Sequence, residues 1–188
     1  MKNKITLLML GLSLAAGTTT VTAQGMKTKT VMVGGAPMYP TKNIIENAIH
    51  SKDHTTLVAA VKAADLVETL QGPGPFTVLA PTNAAFNKLP KAAVADLMKP
   101  ENKEALQKVL TYHVLAGRYS AADIMKAIKA GNGMATMATV QGESLTFWMK
   151  GKNIYVKDAG GKSAQVTIPD VNQSNGVIHV INSVLMPS

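Results

Sequence analysis

The sequence contains no cysteine, and this absence excludes covalent stabilisation of the fold. Without cysteine the chain forms no disulfide bond and offers no thiol for the attachment of a lipid. Its 188 residues are enough for one domain with a substantial apolar core, and too few for two such domains. We therefore expect a single domain that is held together by its buried side chains alone.

Arginine and aromatic residues are also scarce, since Arg118 is the only arginine and aromatic residues make up 4% of the chain. Proteins that read nucleic acids depend on arginine and on interleaved aromatic side chains, so we expect no nucleic-acid partner. The other basic side chains are lysines scattered along the sequence, which predicts a solvated surface kept soluble by like charge. A weak attraction of this surface to anionic polysaccharides or lipids remains open.

An apolar run at residues 5–16 follows a positively charged start and precedes a small-residue cleavage sequence. This order is typical of a secretory signal peptide, so we predict that residues 1–23 are cleaved before Gln24 and that the protein is periplasmic or extracellular. Of the 19 basic residues, Lys2 and Lys4 lie in this segment, so the mature chain keeps 17 against 11 acidic residues, a formal charge of +6. No later apolar segment is long enough for a membrane helix, and we expect no membrane span.

Residues 24–38 are polar and contain glycine without a clear period, which predicts a linker before a packed domain at 39–187. Within that domain, patterns of helical period come first and alternating patterns come later. Helices are predicted at 43–50, at 91–98, at 102–112 and between Ser120 and Gly131. One further helix is predicted to follow an N-cap formed by Asp53 or Thr55. The later strands are predicted at 135–140, 144–150, 153–157, 163–168 and 176–186. Helices that precede antiparallel strands predict an α+β fold.

One stretch predicts a corner around which the chain packs. β-branched and apolar residues at 76–80 indicate a buried strand, which Pro81 ends because proline cannot donate to a sheet ladder. Thr82 and Asn83 are good N-cap residues for a short helix. The side chains predicted to face inward from that helix are Ala84, Ala85, Phe86 and Leu89. The nearly apolar segment at 176–186 predicts a strand covered on both faces, beside 76–80.

Three sequence blocks stand in an order that resembles the fasciclin domain family: FTVLAPTNAAF at 76–86, LTYHVLAGRYS at 110–120 and SNGVIHVINSVLMP at 174–187. The resemblance covers about residues 39–187 and implies an α+β wedge or sandwich of two β-sheets with helices packed on one side. It also implies an exported, non-catalytic adhesion module without a cofactor. The implied partners are a cell-surface or matrix protein or an anionic polysaccharide.

The resemblance also implies candidate binding residues. The Tyr-His pair of the family's middle block falls on Tyr112 and His113, and an Asp-Ile pair linked to the same activity falls on Asp123 and Ile124. The later Asp-Ile pair appears here as Asp-Val at 170–171. The first two pairs would contact a partner directly, whereas the third departs from the family's pattern.

A structural interpretation of the Tyr-His pair stands beside the binding interpretation. His113 follows a predicted helix and precedes apolar residues, which favours a buried ring with both nitrogens hydrogen-bonded. Tyr112 would bury its ring and keep its hydroxyl satisfied. His179, in the apolar terminal segment, is likewise expected to be buried with a fixed partner.

His50 and His54 lie four residues apart, a spacing that can hold a metal ion on one continuous helix. A predicted helix break at 51–53 separates them, so we predict no metal site. No nucleophile elbow, phosphate-binding glycine loop or zinc-binding helix motif is present, and we predict no catalytic residue and no enzyme activity. The alternative function is a periplasmic envelope protein that binds a small ligand or metal, which requires a concave apolar pocket with a few converging polar groups.

Overall fold

The computed structural model describes residues 30–188, which form nine β-strands and seven α-helices. The strands are β1 (Val31–Val33), β2 (Ala36–Met38), β3 (Phe76–Pro81), β4 (Val114–Ala116), β5 (Met134–Ala138), β6 (Ser144–Lys150), β7 (Asn153–Lys157), β8 (Ser163–Gln173) and β9 (Gly176–Ile181). The helices are α1 (Ile44–Ala48), α2 (Thr55–Ala63), α3 (Val67–Gln71), α4 (Asn83–Phe86), α5 (Lys91–Leu97), α6 (Lys103–Tyr112) and α7 (Ala121–Ala130). The predicted signal peptide at 1–23 and the start of the predicted linker lie outside the described residues.

Seven of the strands form one mixed sheet in the order β4-β3-β9-β8-β7-β6-β5, and β1 and β2 form a separate hairpin. The pairing of β3 with β9 is parallel, whereas the other neighbouring strands pair antiparallel. The predicted α+β class and the presence of two sheets are therefore confirmed. The position predicted for the terminal strand is also confirmed, since β9 lies beside β3 and is buried along its whole length.

Strands β3 and β9 separate two apolar cores, because successive side chains of a strand point to opposite faces. Val78 and Ile178 face the first core, which they share with the hairpin and with helices α1, α2, α3 and α6. Leu79 and Ile181 face the second core, which they share with β6, β7, β8 and α7. Both faces of the central strand pair are thus covered, which explains why the sequence of these strands is almost entirely apolar.

The long strand β8 allows the sheet to bend around the second core. Its first residues pair with β7 and its later residues with β9, and the register shifts between Val166, Ile168 and Val171. Such irregularities bend a strand and increase its twist. As a result, β6 and β7 share a core with β3 and β9, and a bridge between Leu115 and Thr139 joins the two ends of the sheet.

The hairpin β1–β2 corrects the boundary predicted between linker and domain. It lies within 24–38, but Val33 and Met38 are each only 3% exposed and belong to the first core. Backbone also holds it in place, since the Lys52 N–H donates to the Gly34 carbonyl at 3.1 Å. Three-residue strands are too short to show a period, so only their packing against α1 reveals that they belong to the domain.

Helix α2 starts where expected, but the residue that caps it was predicted wrongly. Neither Asp53 nor Thr55 provides a side-chain cap. Instead, Asn83 accepts a hydrogen bond from the Thr56 N–H at 3.0 Å and donates one to the Lys52 carbonyl at 2.9 Å. This cap comes from α4, a different helix, and local sequence patterns do not identify it.

Two expectations at the ends of elements also fail. Ala84 was predicted to face inward but is exposed, and Ala85 is the buried residue of the single-turn helix α4. The terminal strand was predicted to reach residue 186 but ends at Ile181. The N–H of the next residue, Asn182, donates a hydrogen bond to the Gln165 carbonyl. Within the described part of the chain, no helix has the length and apolar character needed to cross a membrane.

We predict that Gly176→Ala destabilises the protein. A Cβ added at Gly176 would overlap the carbonyl group of Phe76 in the parallel strand pair, so the two central strands would have to separate. We expect the unfolding free energy in urea to fall by about 2–3 kcal/mol, a typical cost of overpacking. Gly160→Ala is the control, because its added Cβ meets its nearest neighbour at 3.5 Å, an ordinary contact distance. Equal stability of the two variants would contradict the prediction.

Candidate functional site

The predicted binding pair, Tyr112 and His113, lies at the carboxyl end of α6 and is buried. Tyr112 is 0% exposed and His113 is 3% exposed. Val109 and Leu110 in the same turn are also buried, so the helix presents its apolar side to the interior up to its last residue. In this conformation neither side chain of the pair is accessible to a partner.

His113 links α6 to the C-terminal segment through both ring nitrogens. Nδ1 donates to the Val109 carbonyl at 2.7 Å, and Nε2 accepts from the Leu185 N–H at 3.0 Å. Because a backbone N–H can only donate, Nε2 carries no proton and the ring is neutral. Burial lowers the pKa of His113 to about 4, although the bond to Val109 and the charge of Asp158 act in the opposite direction. The predicted bonding of both nitrogens is confirmed.

Tyr112 connects α6 to the first residue of β6 and to the loop after β7. Its hydroxyl accepts from the Ala159 N–H at 3.0 Å and donates to the Ser144 carbonyl at 3.3 Å. Burial raises the pKa of the Tyr112 hydroxyl, so it remains protonated and able to donate. The Tyr-His pair therefore fixes the end of α6 against β6, β7 and the C-terminal segment.

The loop between β4 and α7 is anchored by polar side chains of the two central strands. His179 in β9 donates from Nε2 to the Tyr119 carbonyl at 2.8 Å and accepts from the Asp170 N–H at 3.2 Å. Burial lowers the pKa of His179. Thr77 in β3 donates to the Gly117 carbonyl at 2.7 Å and accepts from the Tyr119 N–H at 2.8 Å. These bonds fix the loop on the sheet.

Helix α7 begins at this loop with a capping box that holds Asp123 at the surface. The Ser120 N–H donates to the Asp123 carboxylate at 2.9 Å, and the Asp123 N–H donates to the Ser120 hydroxyl oxygen at 3.2 Å. Hydrogen bonds from the Ser120 hydroxyl and N–H lower the pKa of Asp123. Ile124 is 0% exposed and packs in the second core. Asp170, from the Asp-Val pair that departs from the family's pattern, accepts from the Ala121 N–H at 2.7 Å.

An open groove of about 500 Å³ lies beside Asp123, and we call it the α7 groove. It is lined by Arg118, Tyr119, Asp123, Lys126, Ala127, Ala130 and Met137. The Arg118 guanidinium donates to the Gln173 carbonyl at 2.9 Å, which holds it at the end of β8. Arg118 and Lys126 were not singled out as site residues from the sequence. The lone arginine of the chain was the only available signal for one of them.

The helix break predicted between His50 and His54 is confirmed, because α1 ends before the first and α2 begins after the second. His54 is buried, and its Nδ1 lies 2.9 Å from the Ser51 hydroxyl. Its Nε2 lies towards the Ala80 carbonyl without a well-formed hydrogen bond, and burial lowers its pKa. Within residues 30–188, no group of three or more His, Cys, Asp or Glu side chains is placed to hold a metal ion.

The first core contains a cavity of about 40 Å³ lined by apolar side chains and by His54 and His113. Sites for small molecules typically measure about 300–1,000 Å³, so this cavity is too small for a metabolite. The α7 groove has sufficient volume, but it is an open surface with a charged rim. Of these two sites, the larger is therefore an open surface and the enclosed one is small.

We predict that the protein loses stability as the pH falls from 6.5 to about 4. Folded His113 stays neutral down to a pH of about 4, whereas in the unfolded chain it takes up a proton below its ordinary pKa of 6.5. The unfolded state therefore binds more protons in this range, so stability is complete above pH 6.5 and decreases below it. For His113 alone we expect a loss of about 2 kcal/mol between pH 7.5 and pH 5.0. His54 and His179 act in the same direction.

Urea unfolding at the two pH values measures this effect. His113→Gln should reduce the loss of stability between them, whereas His50→Gln, at an exposed position, should leave it unchanged. If the glutamine variant does not fold, proton uptake on unfolding of the unchanged protein at pH 5.0 gives a second measurement. An unfolding free energy that is equal at both pH values, with no proton uptake, would contradict the neutral state of the buried histidines.

Comparison with known proteins identifies the family to which the described fold belongs. The family profile of the Fasciclin domain matches residues 52–187. Protein sll1483 of Synechocystis sp. is 45% identical over 175 residues, which cover 92% of this chain and 90% of that protein. The similarity therefore extends over most of both chains.

Two mycobacterial proteins are similar over part of their length. Immunogenic protein MPB70 of Mycobacterium bovis is 37% identical over 145 residues, 74% of this chain and 66% of that protein. Cell surface glycolipoprotein MPB83 of the same species is 40% identical over 123 residues, 65% of this chain and 48% of that protein. The matched region thus spans only about two thirds of the first relative and half of the second.

A solved structure has the same fold. A FAS1 domain pair from the insect cell adhesion molecule fasciclin I matches with a TM-score of 0.69 and 18% sequence identity, over 79% of this chain and 52% of that chain. At this identity the likeness concerns the fold alone. The family profile and the identity to sll1483 concern the sequence, and together they show that the chain belongs to the fasciclin domain family.

Proposed function

We propose that the protein is an exported, non-catalytic binding module that associates with the cell surface or the extracellular matrix. One observation carries the proposal: the polar groups divide between the interior and the surface. The hydrogen-bonding groups of Tyr112, His113 and His179 are engaged inside the protein, whereas Arg118 and Lys126 border an open groove. The first set stabilises the fold and leaves recognition to the second.

The names of similar proteins support the same non-catalytic role. MPB83 is a cell surface glycolipoprotein, and the fasciclin I domain pair comes from a cell adhesion molecule. Both are proteins of the cell exterior. An exported module of this kind needs a stable frame and an accessible recognition surface, and it needs no nucleophile or general base.

The α7 groove is the proposed recognition surface for a segment of a cell-surface or matrix protein. Its frame is pre-organised, because the preceding loop is fixed by Thr77 and His179 and the helix is fixed by the capping box of Ser120. Binding to an ordered surface avoids the entropic cost of ordering a loop. The side chains of Arg118 and Lys126 can pair with carboxylates of the partner and set its orientation.

The four candidate binding residues take different parts in this proposal. Asp123 lines the groove and can accept hydrogen bonds from a partner. Ile124 holds α7 on the second core, and Tyr112 and His113 hold the end of α6. These three residues therefore affect binding only indirectly, by stabilising the fold. Substituting them would weaken adhesion by destabilising the fold that presents the groove.

We predict that Lys126→Glu weakens association with the cell surface and that Lys129→Glu does not. Both lysines are exposed on α7, but only Lys126 lines the groove. We expect retention of the purified mature protein on envelope fragments of its source cells to fall by about five-fold, since an exposed ion pair contributes up to about 1 kcal/mol. A co-sedimentation assay measures the retained fraction, and thermal melting confirms that both variants are folded.

Two outcomes would contradict the proposed function. Equal retention of the two lysine variants would show that the α7 groove is not the recognition surface. Normal surface attachment of cells that lack the gene would contradict a role of the protein in attachment.

We predict that the exported protein begins at Gln24, because residues 1–23 have the order of a signal peptide. N-terminal sequencing of the protein recovered from the periplasm or the medium measures the cleavage point. Recovery of the chain with Met1 in the cytosolic fraction would contradict export.

A further inference from the structure

The outward face of strands β5 to β8 carries a continuous row of side chains, which we call the outer sheet face. The strand register places Met134 opposite Trp148, Trp148 opposite Tyr155, and Tyr155 opposite Gln165. The residues that alternate with them, such as Phe147, are buried in the second core. Because side chains alternate along a strand, the row points away from that core.

The centre of the outer sheet face is an aromatic pair. The rings of Trp148 and Tyr155 stack with centroids 5.6 Å apart and an interplanar angle of 24°. Both side chains are half-buried, so each keeps part of its ring accessible, and Met134 beside them is 57% exposed. The four residues of the row span three strand spacings, about 14 Å.

Two lysines flank the aromatic pair on opposite sides. Lys150 lies two residues beyond Trp148 on β6, and Lys157 lies two residues beyond Tyr155 on the antiparallel strand β7. Their rows in the sheet are four residues apart, which corresponds to about 13 Å along the strands. Both lysines are exposed. Positive charge therefore stands at each end of the aromatic centre.

The carboxylates of this region do not offset these charges. Between residues 134 and 168 the sequence contains two acidic residues, Glu143 and Asp158. Asp158 is 4% exposed and accepts from the Met186 N–H at 3.0 Å, while Glu143 accepts from the Ser188 N–H at 3.0 Å. Both carboxylates are thus directed to the C-terminal segment.

Hydroxyl and amide groups complete the outer sheet face. Beside Gln165, its outward polar side chains include Thr136, Ser144, Thr146, Asn153, Ser163 and Thr167. A surface of this composition offers apolar ring area, uncharged hydrogen-bonding groups and two separated cations. A polymer of charged sugars presents the complementary groups, since its rings have apolar C–H faces, hydroxyl groups and regularly spaced anions.

We infer that the outer sheet face binds an anionic polysaccharide. The sugar rings lie over Trp148 and Tyr155, and carboxylate or sulfate groups along the polymer pair with Lys150 and Lys157. This face is separate from the α7 groove, because Met137, which lines the groove, alternates with the outward residues of β5. The inference extends the proposed function by naming a second surface and a polymer, and its test does not depend on attachment to cells.

The only tryptophan of the chain lies in this face, so its fluorescence reports binding there directly. The mature protein is titrated with polygalacturonate, a uronic-acid polymer, at low and at high salt. We expect a saturable change in the fluorescence of Trp148 and weaker binding at high salt, because salt screens the lysine contacts. Dextran, a neutral polysaccharide, tests the contribution of charge, and polyglutamate, an anionic polymer without sugar rings, tests the contribution of the rings. Both should bind more weakly than polygalacturonate.

Charge-reversal variants locate the site without disturbing the core. Lys150→Glu combined with Lys157→Glu should weaken polygalacturonate binding by about ten-fold or more, a change of about 1.4 kcal/mol. The control combines Lys62→Glu with Lys91→Glu, which alters net charge equally at exposed helical positions of α2 and α5. The control should bind like the unchanged protein.

Several results would overturn the inference. Equal weakening by both double variants would mean that net charge alone attracts the polymer. Binding without a change in Trp148 fluorescence would place the polymer on another surface, and equal binding of polyglutamate would indicate an acidic polypeptide as the partner. If envelope attachment fails while polygalacturonate binding persists, the proposed function is wrong and this inference stands. The reverse result rejects the inference alone.

Discussion

The parallel pairing of β3 with β9 is the constraint on which the rest of the structure depends. The two strands are covered on both faces, so one core forms on each side of them. Their approach at Gly176 leaves no room for a side chain. Asn175 secures the entry to β9, since it donates to the Leu70 and Gly72 carbonyls and accepts from the Ile44 N–H. Helices, hairpin and sheet are all positioned by this central pair.

The buried polar residues convert this pairing into a defined arrangement of loops. Apolar contacts are non-directional, whereas Thr77, His113 and His179 each bond to particular backbone groups. These bonds require the neutral form of the histidines, so the same groups that specify the fold also make it sensitive to acid. Specificity of structure and dependence on pH thus have one physical origin.

The α7 groove and the outer sheet face both belong to elements that pack around the second core. Ile124 on α7 and Phe147 on β6 both point into it. A neighbouring side of α7 borders the α7 groove, whereas the opposite side of β6 belongs to the outer sheet face. One rigid core thus presents two separate surfaces, and a partner bound at one leaves the other accessible.

The sequence by itself determined the α+β class, the main helices and strands, and the burial of His113 and His179, because these follow from local period and apolar content. The three sequence blocks that resemble the family could also be found in it. The prediction of a linker over β1 and β2 was wrong, and so was the prediction of which residues cap α2. Only the tertiary structure decided that Asn83 caps α2 and that Arg118 and Lys126 border a groove. Those features depend on contacts between residues distant in sequence, and local patterns carry no information about such contacts.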